Sequence, residues 1–341
     1  MNSYLTLTLK PECATLFREE EYSNVIGLIR VVLNANDERV RMVRAMEDER
    51  LGRGAPGVVV ASWVERVYED RELATAEVFH MIPTQRFEPT GEQCGTEYDL
   101  SSSCPSCWAG RKRTSPLRLD IRTLPKKGGL ASSIGGELVV GHELAKILDG
   151  AGFRGFQVSP VLREGERERT LEDFLQVDPG RRLIDESQAQ GVAPMSNRFY
   201  MWLSEPDRAP RFQRFCEMEG GLAKGRIGPS GPGMWFALRI DACATLSNRT
   251  VAGIDVFRPD GDGKGRCERG DTIGFRLISE AYFSGNSVHD ADLFVSDRYV
   301  GWHAPGNLLY PTPVIGCSRR FRDTFIETNA RGLRFEVAHL V

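Results

Sequence analysis

The chain has 341 residues, with 44 Lys and Arg against 47 Asp and Glu, a net charge of -3, eight Cys and five His. At 41% hydrophobic and 27% charged it is globular rather than disordered or fibrous, and its length suits two lobes better than one. The charge balance argues against a nucleic-acid-coating surface, no apolar run reaches the ~20 residues of a membrane span, and the first residues lack a signal-peptide pattern, so the expected compartment is the cytoplasm.

In chain order, residues 3–9 alternate and are rich in Thr, Leu and Tyr, which reads as a strand. Residues 36–52 have helical spacing, with Asp37 as cap, Val40, Met42, Val43 and Met46 as apolar positions, and Gly52 and Gly54 as stop. Residues 57–67 form a β-branched strand around Trp63, and residues 72–79 return to helical spacing. These elements make 1–90 an N-terminal α+β region. Residues 91–113 are a cysteine-bearing loop, 117–124 alternate as a half-buried strand, and 125–136 are a Lys/Gly/Ser connection.

A strand-helix-strand unit follows: strand 137–140, helix 142–148 stopped by Gly150 and Gly152, and strand 155–161. Residues 313–337 repeat the plan. Gly141 aligns with Gly316 at the turn into each helix, and Gly155 with Gly332 at the positive-φ turn out of it. The expected fold is therefore α+β, with two lobes that each carry a strand-helix-strand unit. Between them, 162–254 is a Gly/Pro-rich middle region, in which 164–168 is a charge run, 170–177 a short helix or strand, and 198–203 and 234–241 strands. The C-terminal region is 255–341, with a turn-rich loop at 256–265 and a strand at 291–296.

Eight Cys in a reducing compartment are not expected to form four disulfides. Cys94, Cys104 and Cys107 crowd into fourteen residues, and Cys104-Pro-Ser-Cys107 has the spacing of a zinc knuckle. Such a turn lets two thiolates reach one tetrahedral ion at ~2.3 Å. A structural site needs four ligands, so the candidates to complete it are Cys94, Cys267 and Asp271. Cys267 sits in a Gly-Arg-Cys-Glu-Arg-Gly-Asp run that reads as a second knuckle with Gly270 in its partner position. Cys13, Cys216, Cys243 and Cys317 read as small buried hydrophobes. Arg111, Lys112 and Arg113 with Trp108 form a small basic-aromatic patch.

Other motifs fail on their chemistry. Residues 260–265 begin like a calcium loop but place Lys264 where a carboxylate is required. Residues 225–233 are glycine-rich without the Gly-Lys-Ser/Thr of a phosphate loop. His142-Glu143 lacks the second His of a zinc-protease helix, and the remaining His are scattered singly.

The Cys-Pro-x-Cys knuckle, together with a strand-helix-strand unit ending in Gly-Phe-x-Val-x-Pro-Val, resembles the double-CXXCG motif immunity proteins of swarming-inhibition toxin systems and related polymorphic-toxin immunity proteins. The run Asp292-Leu-Phe-Val-Ser, followed by Ser318-Arg-Arg-Phe321 and Gly332-Leu-Arg-Phe-Glu-Val337, resembles their C-terminal signature. The likeness covers about 91–161 and 255–341. Trp108 stands where the first motif has Gly, and Gly270 where the second has Cys. The resemblance implies a cytoplasmic binding protein, not an enzyme, with structural zinc and a cognate protein toxin as partner. The competing reading is a zinc-ribbon factor that binds or processes nucleic acid, using Arg111, Lys112 and Arg113 on phosphate.

Overall fold

The computed structural model describes residues 1–341 except 106, 126–128, 164–167, 220–234, 254, 260–266, 268–271, 274–275, 286–287, 289 and 304–308. The runs 225–233 and 260–265, Gly270 and Asp271 therefore lie outside the described residues.

The N-terminal region is a four-stranded antiparallel sheet with one helix on it. Strand β1 (Asn2–Leu9) lies between β3 (Leu28–Asn34) and β4 (Val59–Val67), and β2 (Tyr22–Val25) pairs outside β3. Period-2 alternation turns Leu5, Leu7 and Leu9 to one face with Ile29, Val31, Leu33 and Val64. Helix α1 (Glu38–Gly52) covers that face with Val40, Val43 and Met46, and the Asp37 side chain accepts the Arg39 N–H at 2.9 Å as its cap. Met42, expected among the apolar positions, points outward and is 45% exposed.

After β4 the expected helix at 72–79 divides. Only α2 (Asp70–Thr75) is helical, and the apolar residues Phe79 and Met81 belong to a central strand, β5 (Val78–Pro83). A short run of apolar residues fits a buried strand as well as a helix, and the pairing partners decide. Next come β6 (Arg86–Phe87), the hairpin β7 (Tyr98–Asp99) and β8 (Lys112–Arg113), and β9 (Arg118–Leu119). Residues 117–124 are thus strand only at β9, because Asp120 turns the chain there by accepting the Arg122 N–H and side chain.

The first strand-helix-strand unit comprises β10 (Leu130–Ser133), β11 (Leu138–Gly141), α3 (His142–Gly150) and β12 (Phe156–Pro160), followed by β13 (Leu162–Arg163). A helical cluster fills the middle region: α4 (Leu171–Gln176), α5 (Asp178–Ala189), α6 (Asn197–Leu203) and α7 (Ala209–Glu219). The strand expected at 198–203 is α6. Ser196 caps it through Phe199 N, and Phe199, Trp202 and Leu203 pack on Phe174, Leu183 and Phe215.

The remaining strands are β14 (Trp235–Ile240), β15 (Cys243–Ala244), β16 (Ala252–Gly253), β17 (Thr272–Ile273), β18 (Arg276–Leu277), β19 (Ala281–Phe283), β20 (Leu293–His303), β21 (Leu309–Ser318) and β22 (Leu333–Leu340), with α8 (Arg319–Glu327) between the last two. One sheet runs β12-β14-β11-β10-β6 and another β15-β20-β21-β5-β22-β19, so the fold is α+β with mixed sheets. The two strand-helix-strand units have the same topology. In each, a foreign antiparallel strand (β14 or β5) separates the parallel pair that the helix connects. The units share one core, in which Leu144 and Leu148 of α3 and Phe321 and Phe325 of α8 meet Phe79, Phe236 and Val337.

The glycine correspondence holds at one end only. Gly155 and Gly332 have φ of 96° and 105°, and a Cβ at either would strike a backbone carbonyl, of Leu293 or Leu130. Gly141 is the cap of α3, whereas α8 is capped by Ser318. Gly316 lies inside β21, where it makes room for the Phe294 ring.

Candidate metal centre

The sequence brings two distant segments to one point. Cys104 and Cys107 come from the loop between β7 and β8, and Cys267 from the segment between β16 and β17. Their sulfurs all lie within 4.8 Å of one another. A tetrahedral ion with ~2.3 Å arms places its sulfurs about 3.8 Å apart, so the trio closes on an ion with a small side-chain adjustment. Cys104 and Cys107 are buried and Cys267 half-buried, with Ala109 and Tyr299 packed against them. None of the eight cysteines is in a disulfide.

The local backbone explains the knuckle. The Trp108 N–H donates to Cys104 O at 2.8 Å and the Cys104 N–H to Ala109 O at 2.9 Å, so Cys104 is held against Trp108 and Ala109. Trp108 has φ 58°. This is the left-handed turn for which a knuckle takes Gly, here occupied by a 40% exposed Trp. Burial pushes the Cys107 thiol well above its ordinary pKa. The Ala109 N–H opposes that shift, and the neighbouring Cys104 and Cys267 add to it. Without a cation Cys107 therefore holds its proton, and a bound cation would displace it.

The loop is braced on both sides. Tyr98 OH donates to Glu137 Oε1 at 2.6 Å, and the Arg111 guanidinium lies 4.4 Å from the Tyr98 ring centroid. Arg111 also pairs with Glu92 at 3.0 Å and with Glu137 at 3.7 Å. Burial raises the Tyr98 phenol, and Glu137 raises it further. On the Cys267 side, the Val256 N–H donates to Ser62 Oγ at 3.1 Å, and Arg258 pairs with the buried Glu47 at 3.2 Å. Glu47 also accepts the Val58 and Val59 N–H groups, and a Cβ at Gly57 would collide with it. Burial raises the Asp255 carboxyl, a shift the Phe257 N–H opposes and Glu47 reinforces. Val256 and Arg258, on the segment that leads to Cys267, are thus tied to β4 and α1.

Of the candidate ligands, Cys104, Cys107 and Cys267 converge. Cys94 is buried in a 3-10 turn, Glu92–Cys94, outside the trio, and Asp271 lies outside the described residues. Among the described residues no carboxylate or imidazole joins the three sulfurs. The basic patch does not present itself as a unit. Arg111 is held by two carboxylates, Arg113 is half-buried and Lys112 is exposed. Sequence reasoning missed Glu92 and Glu137 as its counter-charges, since they lie 19 and 26 residues away from Arg111 and only the hairpin brings them near.

Two other polar groups that the sequence singles out hold elements together. His142 Nδ1 lies 2.6 Å from Ser204 Oγ, but Ser204 is fully buried and donates to Met201 O, so the pair ties α6 to α3. The signature residues of the C-terminal region join the two strand-helix-strand units. Asp292 accepts Ser318 Oγ–H at 2.7 Å and the Arg154 N–H at 3.0 Å, and Ser318 Oγ caps α8 through Phe321 N at 3.2 Å. No helix among the described residues is long and apolar enough to cross a membrane. Comparison with protein-family models, with curated proteins and with solved structures finds no match to this chain.

Proposed function

We propose that this chain is a cytoplasmic, zinc-stabilised binding protein that neutralises a cognate protein toxin by direct association. The observation that carries the reading is the cysteine trio. It joins the 91–113 loop to the C-terminal region, and its described donors are sulfur alone, the chemistry of a structural zinc rather than of one that activates water. An ion there would hold in place a loop whose regular structure among the described residues is one 3-10 turn and the two-residue strands β7 and β8, which is what a rigid recognition surface needs. The pairing of Arg111 with Glu92 and Glu137 speaks against the nucleic-acid reading, since a neutralised guanidinium gives little attraction for phosphate.

The test has two arms. The toxin domain encoded beside this gene is expressed with and without the protein, and survival only in its presence, with a complex recovered on gel filtration, supports the proposal. Failure to protect against every neighbouring toxin domain overturns the toxin assignment. Metal analysis of chelator-free protein decides the zinc assignment independently, with about one equivalent expected and less than about half rejecting it.

A further inference from the structure

The three sulfurs of the cysteine trio differ in their access to solvent. Cys104 and Cys107 are 0% and 2% exposed, whereas Cys267 is half-buried. The Cys107 thiol is in hydrogen-bonding contact with both of the others. All three are free thiols within 4.8 Å of one another, so a change of rotamer at the less buried Cys267 brings its sulfur onto that of Cys107. The buried thiols of Cys13, Cys94, Cys216 and Cys317 lie outside the trio, and so does the exposed Cys243. An oxidant arriving from solvent therefore meets, at Cys267, a sulfur with a second thiol already beside it. An accessible sulfur next to a resolving thiol is what separates a reversible oxidation site from an inert buried cysteine.

We propose that the trio is a reversible oxidation site for hydroperoxides, in which Cys267 reacts first and closes a disulfide with Cys107. Release of metal in this step rests on the zinc reading above, whereas the disulfide needs only the thiols. A bound cation holds the sulfurs as thiolates, the form that attacks peroxide. Cys267 Sγ attacks one peroxide oxygen and the O–O bond breaks. The sulfur becomes a sulfenic acid, S–OH, and the departing hydroxide takes a proton from solvent as water. Cys107 Sγ then attacks Cys267 Sγ. The S–S bond forms, the S–O bond breaks, and the second hydroxide also leaves as water. In sum, two thiolates, one hydroperoxide and two protons give one disulfide and two waters when the oxidant is hydrogen peroxide. Cys104 then remains as the trio's one sulfur donor and does not hold the ion by itself, so zinc leaves. The disulfide keeps the 91–113 loop joined to the Cys267 segment, while the turn after Cys107, which carries the exposed Trp108, loses the constraint of the ion. A dithiol reductant reverses the step by exchange and is itself oxidised to a disulfide.

The test uses the full chain with Cys243→Ser, which removes the exposed thiol outside the trio. Reduced protein purified without chelator is treated with a few equivalents of hydrogen peroxide. Zinc release to a chromogenic chelator, free thiols and non-reducing peptide mapping are followed together. The expected result is a peptide linked through Cys107 and Cys267, zinc released in step with thiol loss, and recovery of both thiols with dithiothreitol. Cys267→Ser in the same background should slow thiol loss at least ~10-fold, with unchanged circular dichroism showing that the chain still folds. Should that variant not fold, the peptide map of the parent chain decides the linkage. A Cys104–Cys107 bridge in place of the expected one, oxidation past the disulfide to sulfinic acid, or thiol loss indifferent to Cys267→Ser overturns the inference. So do thiols that survive the peroxide. Protein that carries no zinc before peroxide is added rejects the zinc reading instead, and the linked peptide still decides the disulfide.

Discussion

At the scale of single residues, the informative groups are those whose charge depends on their surroundings. Cys104→Ser removes a sulfur from the trio and is expected to abolish stoichiometric zinc. Cys94→Ser, outside the trio, should leave the metal content unchanged, and elemental analysis of both proteins reads the difference. His80 is the opposite case. Burial, and then Arg66 and Arg334, push its pKa from 6.5 down to about 3, and its Nδ1 has no hydrogen-bond partner. The folded state therefore holds it neutral while the unfolded chain protonates it. The stability this contributes is complete above about pH 6.5 and is lost as pH falls from there towards 3. At pH 5 the loss is about 2 kcal/mol relative to pH 7.5, and His80→Asn should remove that part of the acid dependence in urea titrations.

At the scale of elements, helix ends and strand entries carry the specific interactions. Ser318→Ala deletes the cap of α8 and leaves Asp292 without its hydroxyl donor, at an expected cost of about 1–2 kcal/mol by chemical denaturation. Gly332→Ala meets two obstacles, a left-handed φ and the Leu130 carbonyl. It should cost more than the about 1 kcal/mol of an ordinary glycine-to-alanine strain, read as a lower melting temperature. Some elements were legible from pattern. β1, α1 and β4 alternate or repeat as a surface sheet and helix must, and the β11-α3-β12 unit is bounded by its glycines. Others were not. Residues 198–203 are apolar at five positions of six, which strand and helix both permit, and the Ser196 cap is a weaker signal than that run. The short strands β6 to β9 have no periodicity to read.

At the scale of the whole molecule, one buried ion pair fastens the N-terminal sheet to the C-terminal one. Arg66 of β4 donates to Glu336 of β22 at 2.8 Å and to the carbonyls of Leu277 and Ile278, and Arg334 holds the second carboxylate oxygen at 2.9 Å. Both members of the pair are almost fully buried. Glu336→Gln strands the Arg66 charge and should cost about 3–5 kcal/mol, whereas Arg66→Met with Glu336→Met removes both charges and should cost less than the single change. Urea unfolding of the two variants gives that comparison. Arg258–Glu47 and Val256–Ser62 add a second fastening, between the segment after β16 and the N-terminal helix and sheet.

The amino-acid sequence alone determined the α+β class, the two strand-helix-strand units, the knuckle spacing at Cys104 and Cys107, and Cys94, Cys267 and Asp271 as the candidates to complete it. These are properties of spacing and periodicity, which act over a few residues. Only the tertiary structure decided that Cys267 rather than Cys94 stands beside the knuckle, that Glu92 and Glu137 neutralise Arg111, and that both units share a single core. Each depends on segments far apart in sequence meeting in space. Nothing in a local pattern records which distant strand will pair with β5, or which of two cysteines the loop will turn towards.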